Sequence, residues 1–181
     1  SIFVARYSPD ALAAVSLAYP IQILMIAVSV GTGVGVNALL SRSLGEGKKK
    51  KAKLTADNAI LLGILASIMF ALFGVLCTKL FFDSQTKSES IRQLGYSYLS
   101  VVTIFSFGLM LEVTFERILQ STGKTVFNMI TQSVGAIINI ILDPILIFGF
   151  FGAPKLGIAG AAIATVAGQI IAMILSFIFN M

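Results

Sequence analysis

An aspartate, Asp143, stands inside INIILDPILIFG (residues 138–149), a run otherwise made of apolar residues, Asn139, Pro144 and a terminal glycine. An acid in the middle of a membrane-length apolar run costs about 2.5–3.5 kcal/mol on insertion scales, and such acids face a protein interior or a water-filled cavity. Asn128, Gln132, Gly135, Asn139 and Asp143 follow one another at intervals of 4, 3, 4 and 4, so a helix carries them as one polar stripe. Pro144 has no N–H to give the carbonyl of Ile140, which predicts a kink and a spare acceptor beside the acid. Carboxylate, amide oxygen and loosened carbonyl suit a proton, a sodium ion or an organic cation. Burial favours the neutral form of a carboxylate, so a group in this setting takes up and releases a proton. The blander alternative is a structural hydrogen bond to a neighbouring helix.

Two more acids fall within an apolar run. Glu112 and Glu116 are one helical turn apart and close to Arg117. At 1.5 Å per residue Glu112 lies about 7 Å from the end of its helix, whereas Asp143 lies about 27 Å along its own. The two sites are therefore expected not to touch. Glu112 and Glu116 read as a charge cluster at the membrane interface, or as gate acids. Further polar side chains are placed to line a cavity: Gln22 and Ser29 with Met25 between them, Gln132, Tyr96 with Ser100 and Thr103, and Thr165 with Gln169. For each, a helix–helix hydrogen bond competes with contact to a substrate. There is no histidine and one cysteine, Cys77, which leaves no internal disulfide and argues against His-based metal sites or a membrane-embedded enzyme.

The elements that must position these groups follow from composition. Apolar residues make up 57% of the 181, charged residues 12%, and the mean hydropathy is +0.96. Soluble domains carry about 25% charged residues. Uncharged runs of roughly 18 residues or more mark membrane-spanning helices. The pattern predicts an all-α, polytopic membrane protein with five transmembrane helices, near 9–41, 53–80, 92–117, 124–150 and 156–181. SPDA (residues 8–11) is a helix start, with Ser8 as N-cap, Pro9 in the first turn and Asp10 favourable at the dipole. LGEGKK closes that helix.

Alternate connections carry eight and four basic residues, the run Lys48–Lys51 dominating. The positive-inside rule then places loops 42–53 and 117–125 in the cytoplasm and the other connections outside, in a cell (inner) membrane. The net charge of +5 lies mostly in that one run, which reads as a topogenic signal rather than a nucleic-acid surface. The chain starts without Met and ends inside the apolar SFIFNM, so it is expected to be part of something longer.

GTGVGV (residues 31–36) is no nucleotide loop, because it lies within an apolar helical run without a preceding strand. STGKT (residues 121–125) lacks the first glycine of a P-loop. Small residues in GTGVGV are read as close helix packing. Gly157, Gly160, Ala161, Ala164 and Gly168 likewise form a small face.

In order along the chain come SPDALAAVSLAYPIQ, VGTGVGVNALLSRSLGEGKKKKA, LQSTGKT, GAIINIILDPILIFG and LGIAGAAIATVAGQ. This series resembles the multidrug and toxic compound extrusion (MATE) family, above all its prokaryotic members, over nearly the whole chain. The resemblance implies a twelve-helix antiporter of two pseudo-symmetric six-helix lobes. This chain is similar to helices two to six of the first lobe. It also implies a cation site for H⁺ or Na⁺ at Asp143 and Asn139, joined by Thr165, with no cofactor and no metal beyond a possible Na⁺ at Asp143. The implied activity is secondary antiport of amphipathic, often cationic drugs and toxins, not enzyme catalysis. The implied partners are small organic substrates, membrane lipid and the remaining helices of the full-length transporter, with no nucleic acid. A lipid-linked sugar flippase of the same superfamily, a channel and a non-transporting scaffold remain the other readings.

Overall fold

The computed structural model describes residues 2–181. These form helices joined by short turns, without a strand among the described residues. The chain order is α1 (Ile2–Tyr7), α2 (Pro9–Gly45), α3 (Lys49–Leu76), α4 (Thr78–Gln85), α5 (Glu89–Ile104), α6 (Phe107–Ser121), α7 (Thr125–Phe148), a 3-10 turn (Phe150–Gly152) and α8 (Ile158–Asn180). α2, α3, α7 and α8 are each long and apolar enough to cross a membrane, and α5 with α6 make a fifth crossing if the bent pair is one span.

Local chemistry sets the ends. Ser8 Oγ accepts from the Asp10 N–H at 3.2 Å, and Pro9 opens α2. Asp10 in turn accepts from Ser90 Oγ at 2.7 Å, which ties the start of α2 to the start of α5 on one side of the bundle. At the other side α2 runs to Gly45, beyond the expected end at residue 41, and α3 begins at Lys49 rather than 53. The turn between them is held by Glu46, which accepts from Arg42 Nε at 2.9 Å and Lys48 Nζ at 2.7 Å. Those two bonds, Lys48 first, hold the Glu46 carboxyl below its ordinary range.

The helix expected over 92–117 is two helices meeting at Phe105–Ser106 with a bend of 42°. Thr103 turns its hydroxyl back onto the carbonyls of Leu99 and Ser100, and Ser106 Oγ donates to the Ser67 carbonyl of α3. Side-chain hydroxyls that compete for helical carbonyls bend helices. At Pro144, where a kink was expected, α7 is one continuous helix from Thr125 to Phe148. Gly149, at φ +79°, ends it and donates to the Ile145 carbonyl.

Small residues let the helices close up. A Cβ on Gly168 of α8 would sit 2.7 Å from the Gly135 carbonyl of α7, and one on Gly160 would sit 2.5 Å from the Leu146 carbonyl. Gly157, Ala161 and Ala164 are buried on the same face. On α3, Gly63, Ser67, Phe70 and Gly74 form the buried stripe, while Leu61, Leu65, Leu72 and Val75 point outward. The short α4, unexpected from the sequence, buries Phe82 against Gly95 of α5. Of the GTGVGV glycines only Gly33 meets a neighbour, the stem of Arg117; Gly31 and Gly35 have open space around them, so they do not serve packing within this bundle.

Candidate functional site

The polar stripe of α7 faces two different neighbours along its length. In its lower half Asn128 is buried and donates from Nδ2 to the Glu116 carbonyl of α6 at 3.0 Å. Thr131 Oγ1 and Gln132 Nε2 donate to the two carboxylate oxygens of Glu116 at 3.1 and 2.9 Å. Glu116 is only 5% exposed. Beyond the charges near it in sequence, Glu116 is wrapped by neutral donors of α7. Arg117 does not reach back to it, because its Nη1 donates to Gln120 at 2.7 Å and its stem lies over Gly33. Thr131 is not among the candidates the sequence suggests. It sits beside the stripe rather than on it, and an i+3 step from Asn128 was the available signal.

Halfway along α7, Gly135 brings α8 close. There Asn139 Nδ2 donates to Thr165 Oγ1 at 3.2 Å, and Thr165 Oγ1 donates to the Ala161 carbonyl at 2.9 Å. One turn further Asp143 is 4% exposed. It lines a cavity of about 510 Å³ with Asn139, Ile140 and, from α1, Ile2, Phe3 and Arg6. Arg6 was not foreseen as part of the site, because α1 is a separate short helix that folds back over α7. Tyr98 of α5 is the other residue missed. It is buried, accepts from Gln22 Nε2 at 2.9 Å, and lies within electrostatic reach of Thr165 and Asp143.

A second pocket, of about 300 Å³, opens between α6, α7 and α8. Glu112, Gln132, Asn139, Thr165 and Gln169 give it its polar lining, with Gly135, Ala136 and Gly168 at the helix contact. Asn139 therefore borders both spaces, the one holding Asp143 and the one holding Glu112. The remaining candidates sit elsewhere. Met25 is fully buried in the core, and Ser29 is buried with its hydroxyl 2.9 Å from Met110 Sδ. Both belong to helix packing of α2 rather than to either pocket. Ser100 and Thr103 are buried, and Tyr96 borders an outer pocket beside Arg92, Asp83 and Lys79.

The donors around Asp143 and Glu112 are oxygens and amides, and no group of three or more His, Cys, Asp or Glu side chains converges among the described residues. Carboxylate, carboxamide and hydroxyl oxygens are the ligands of hard cations.

The MatE family model matches residues 1–145. The chain is 32% identical, over 97% of its length, to the FAD transporter of Shewanella oneidensis, of which it covers 39%. It is 29% identical over 93% of its length to "Probable multidrug resistance protein NorM" of Thermotoga maritima, covering 36% of that protein. In three dimensions it matches an inward-facing multidrug resistance MATE family transporter of the MOP superfamily with a TM-score of 0.90. That match has 26% identity and spans 98% of this chain and 40% of the other. A MATE in the bent conformation gives 0.88 at 27% identity, over 97% and 38%. The chain thus spans about two fifths of the length of its curated relatives.

Proposed function

Since the chain belongs to the MatE family, we propose that it works as part of a secondary antiporter exporting amphipathic, cationic organic compounds in exchange for H⁺ or Na⁺. The observation that carries this reading is the position of Asp143. It is buried in the bundle, on the wall of a cavity, one turn from an Asn139–Thr165 pair that spans α7 and α8. A proton adding to a carboxylate oxygen, or a sodium ion bound beside it, removes the buried negative charge. That change alters what Asn139 and Arg6 face across the cavity and shifts the balance between two arrangements of α7 against α1 and α8. Pro144, next in the chain, leaves the Ile140 carbonyl without its helical donor and makes α7 easier to bend there. In this reading the turns at Glu46–Lys48 and Thr122–Lys124 face the cytoplasm, and lipid covers the outward side chains of α3.

The test is drug efflux by the full-length protein in cells, with the proton and sodium gradients collapsed one at a time. Loss of efflux on collapsing one gradient and not the other identifies the coupling ion. Efflux that survives collapse of both removes the antiport reading.

Arg6 supports a second reading of the cargo. A guanidinium on the cavity wall suits an anionic substrate, and one relative is an FAD transporter. The two readings separate on substrate. Export of a cationic dye but not of flavin dinucleotide supports the first, and Arg6→Gln then leaves export intact. The reverse preference, lost in Arg6→Gln, supports the second.

A further inference from the structure

A pocket of about 640 Å³ lies between α4 and α5 and shares no lining residue with the Asp143 cavity or with the pocket between α6, α7 and α8. Lys79 and Asp83 line it from α4, and Glu89, Arg92, Gln93 and Tyr96 from α5. Two bases and two acids make its wall neutral in sum, yet the charges are not all spent on one another. Arg92 donates from Nη1 to Asp83 Oδ1 at 3.1 Å and from Nη2 to Glu89, while its Nε–H is buried without a partner. Lys79 makes no ion pair among the described residues. Asp83 uses only Oδ1, which leaves Oδ2, and the Glu89 side chain is 63% exposed. The wall therefore offers an ammonium and a guanidinium N–H to an anion, and carboxylate oxygens to a cation that donates hydrogen bonds. A simple ion of either sign answers half of this and leaves the pocket charged; a zwitterion answers both halves.

The level of the pocket narrows the choice. The last turns of α3 expose Leu72, Val75 and Leu76, and Leu80 of α4, beside Lys79, is exposed as well. The pocket thus stands where the apolar outer surface gives way to charge, the level at which Lys stems snorkel and Tyr rings settle among lipid headgroups. Phe82 packs on Gly95, so α4 is held to α5 by apolar contact besides the ion pairs. We propose that this pocket holds the headgroup of one phosphatidylethanolamine molecule. Its phosphate lies between Lys79 Nζ and Arg92 Nε, its ammonium donates to Asp83 and Glu89, and its acyl chains run down past Leu80 along α3. Phosphatidylcholine has the same charges without an N–H, and phosphatidylglycerol lacks the cation. The full length of α3 separates this end of the bundle from the Glu46–Lys48 turn, which assigns the lipid to the outer leaflet. Only the leaflet, not the binding, depends on the proposed orientation.

The experiment measures equilibrium binding of radiolabelled dihexanoyl-phosphatidylethanolamine to the purified full-length protein in detergent. It compares wild type with Lys79→Gln and Gln93→Trp. The first removes the unpaired ammonium from an exposed position, and the second fills the pocket from α5 and leaves all four charges in place. The expected result is one saturable site per chain in wild type and at least tenfold weaker binding in both variants. The dihexanoyl forms of phosphatidylcholine and phosphatidylglycerol should each bind wild type at least tenfold more weakly. Wild-type affinity in both variants, or equal affinity for the three headgroups, overturns the proposal. Free phosphoethanolamine binding as tightly as the lipid overturns the lipid assignment in favour of a soluble zwitterion. Should Lys79→Gln lower the melting temperature, Gln93→Trp decides alone. Efflux is no part of the readout, so failure of the antiport reading leaves this site standing.

Discussion

Glu116 and Asp143 are both buried acids, yet their surroundings give them different work. Glu116 has both carboxylate oxygens taken by Thr131 and Gln132, and its own carbonyl is taken by Asn128. It fastens α6 to α7. Glu116→Ala leaves the Gln132 amide without its acceptor, while Thr131 keeps the Asn128 carbonyl, and unfolding in detergent should show a loss of about 1–3 kcal/mol, the usual cost of an unpaired buried polar group. Asn139 and Thr165 make one bond across α7 and α8. Thr165→Val removes the acceptor with little change in shape. It should weaken coupling-ion affinity by about 1 kcal/mol, a factor of roughly five, with the melting temperature almost unchanged. An unchanged affinity would take Thr165 out of the site. Asp143 and Asn139 were legible because a polar pair in an apolar run has few structural reasons to exist, and their spacing fixes a common face. The partners of Glu116 were not legible, because depth along a helix says nothing about which helix lies opposite. The donors that bury it are more than a dozen residues away.

At the scale of elements, close approach of backbones decides where the site can be. Gly135 and Gly168 bring α7 and α8 together immediately below Asn139. Gly168→Leu must push its side chain into the Gly135 carbonyl, and overpacking of this kind typically costs about 1–3 kcal/mol. Gly31→Ala meets open space in mid-helix. It should be neutral or stabilising by up to about 1 kcal/mol, since alanine favours the helix. Thermal melting of the two variants measures both. The small face of α8 was readable from its i, i+3, i+4 spacing. The GTGVGV glycines looked equivalent in sequence, and only Gly33 has a neighbour, because period alone does not say which side of a long helix meets protein. The break at Phe105–Ser106 escaped notice for a related reason. It depends on Ser106 reaching a carbonyl of α3 and on the Thr103 hydroxyl bonding back, in a segment with neither proline nor an obvious turn.

For the whole molecule, the all-helical membrane architecture follows from composition and run length, and charge asymmetry proposes its orientation. Topology has a direct check. With Cys77 replaced, single cysteines at Lys50 and Lys87 should differ. A membrane-impermeant maleimide added to intact cells should label the second and not the first; the opposite pattern inverts the proposed orientation. What composition could not supply was the backing of the site. α1 lies over α7, and Arg6 comes to the Asp143 cavity through a contact between segments far apart in the chain.

The central claim is that charge on Asp143 couples ion movement to substrate movement. The direct measurement is ion-for-substrate exchange in proteoliposomes of the full-length protein, wild type against Asp143→Asn, with substrate flux and ion flux recorded together. Wild type should show opposed, proportional fluxes. In Asp143→Asn an imposed ion gradient should no longer drive substrate uphill, while substrate still binds. Gradient-driven accumulation at the wild-type rate in Asp143→Asn contradicts it.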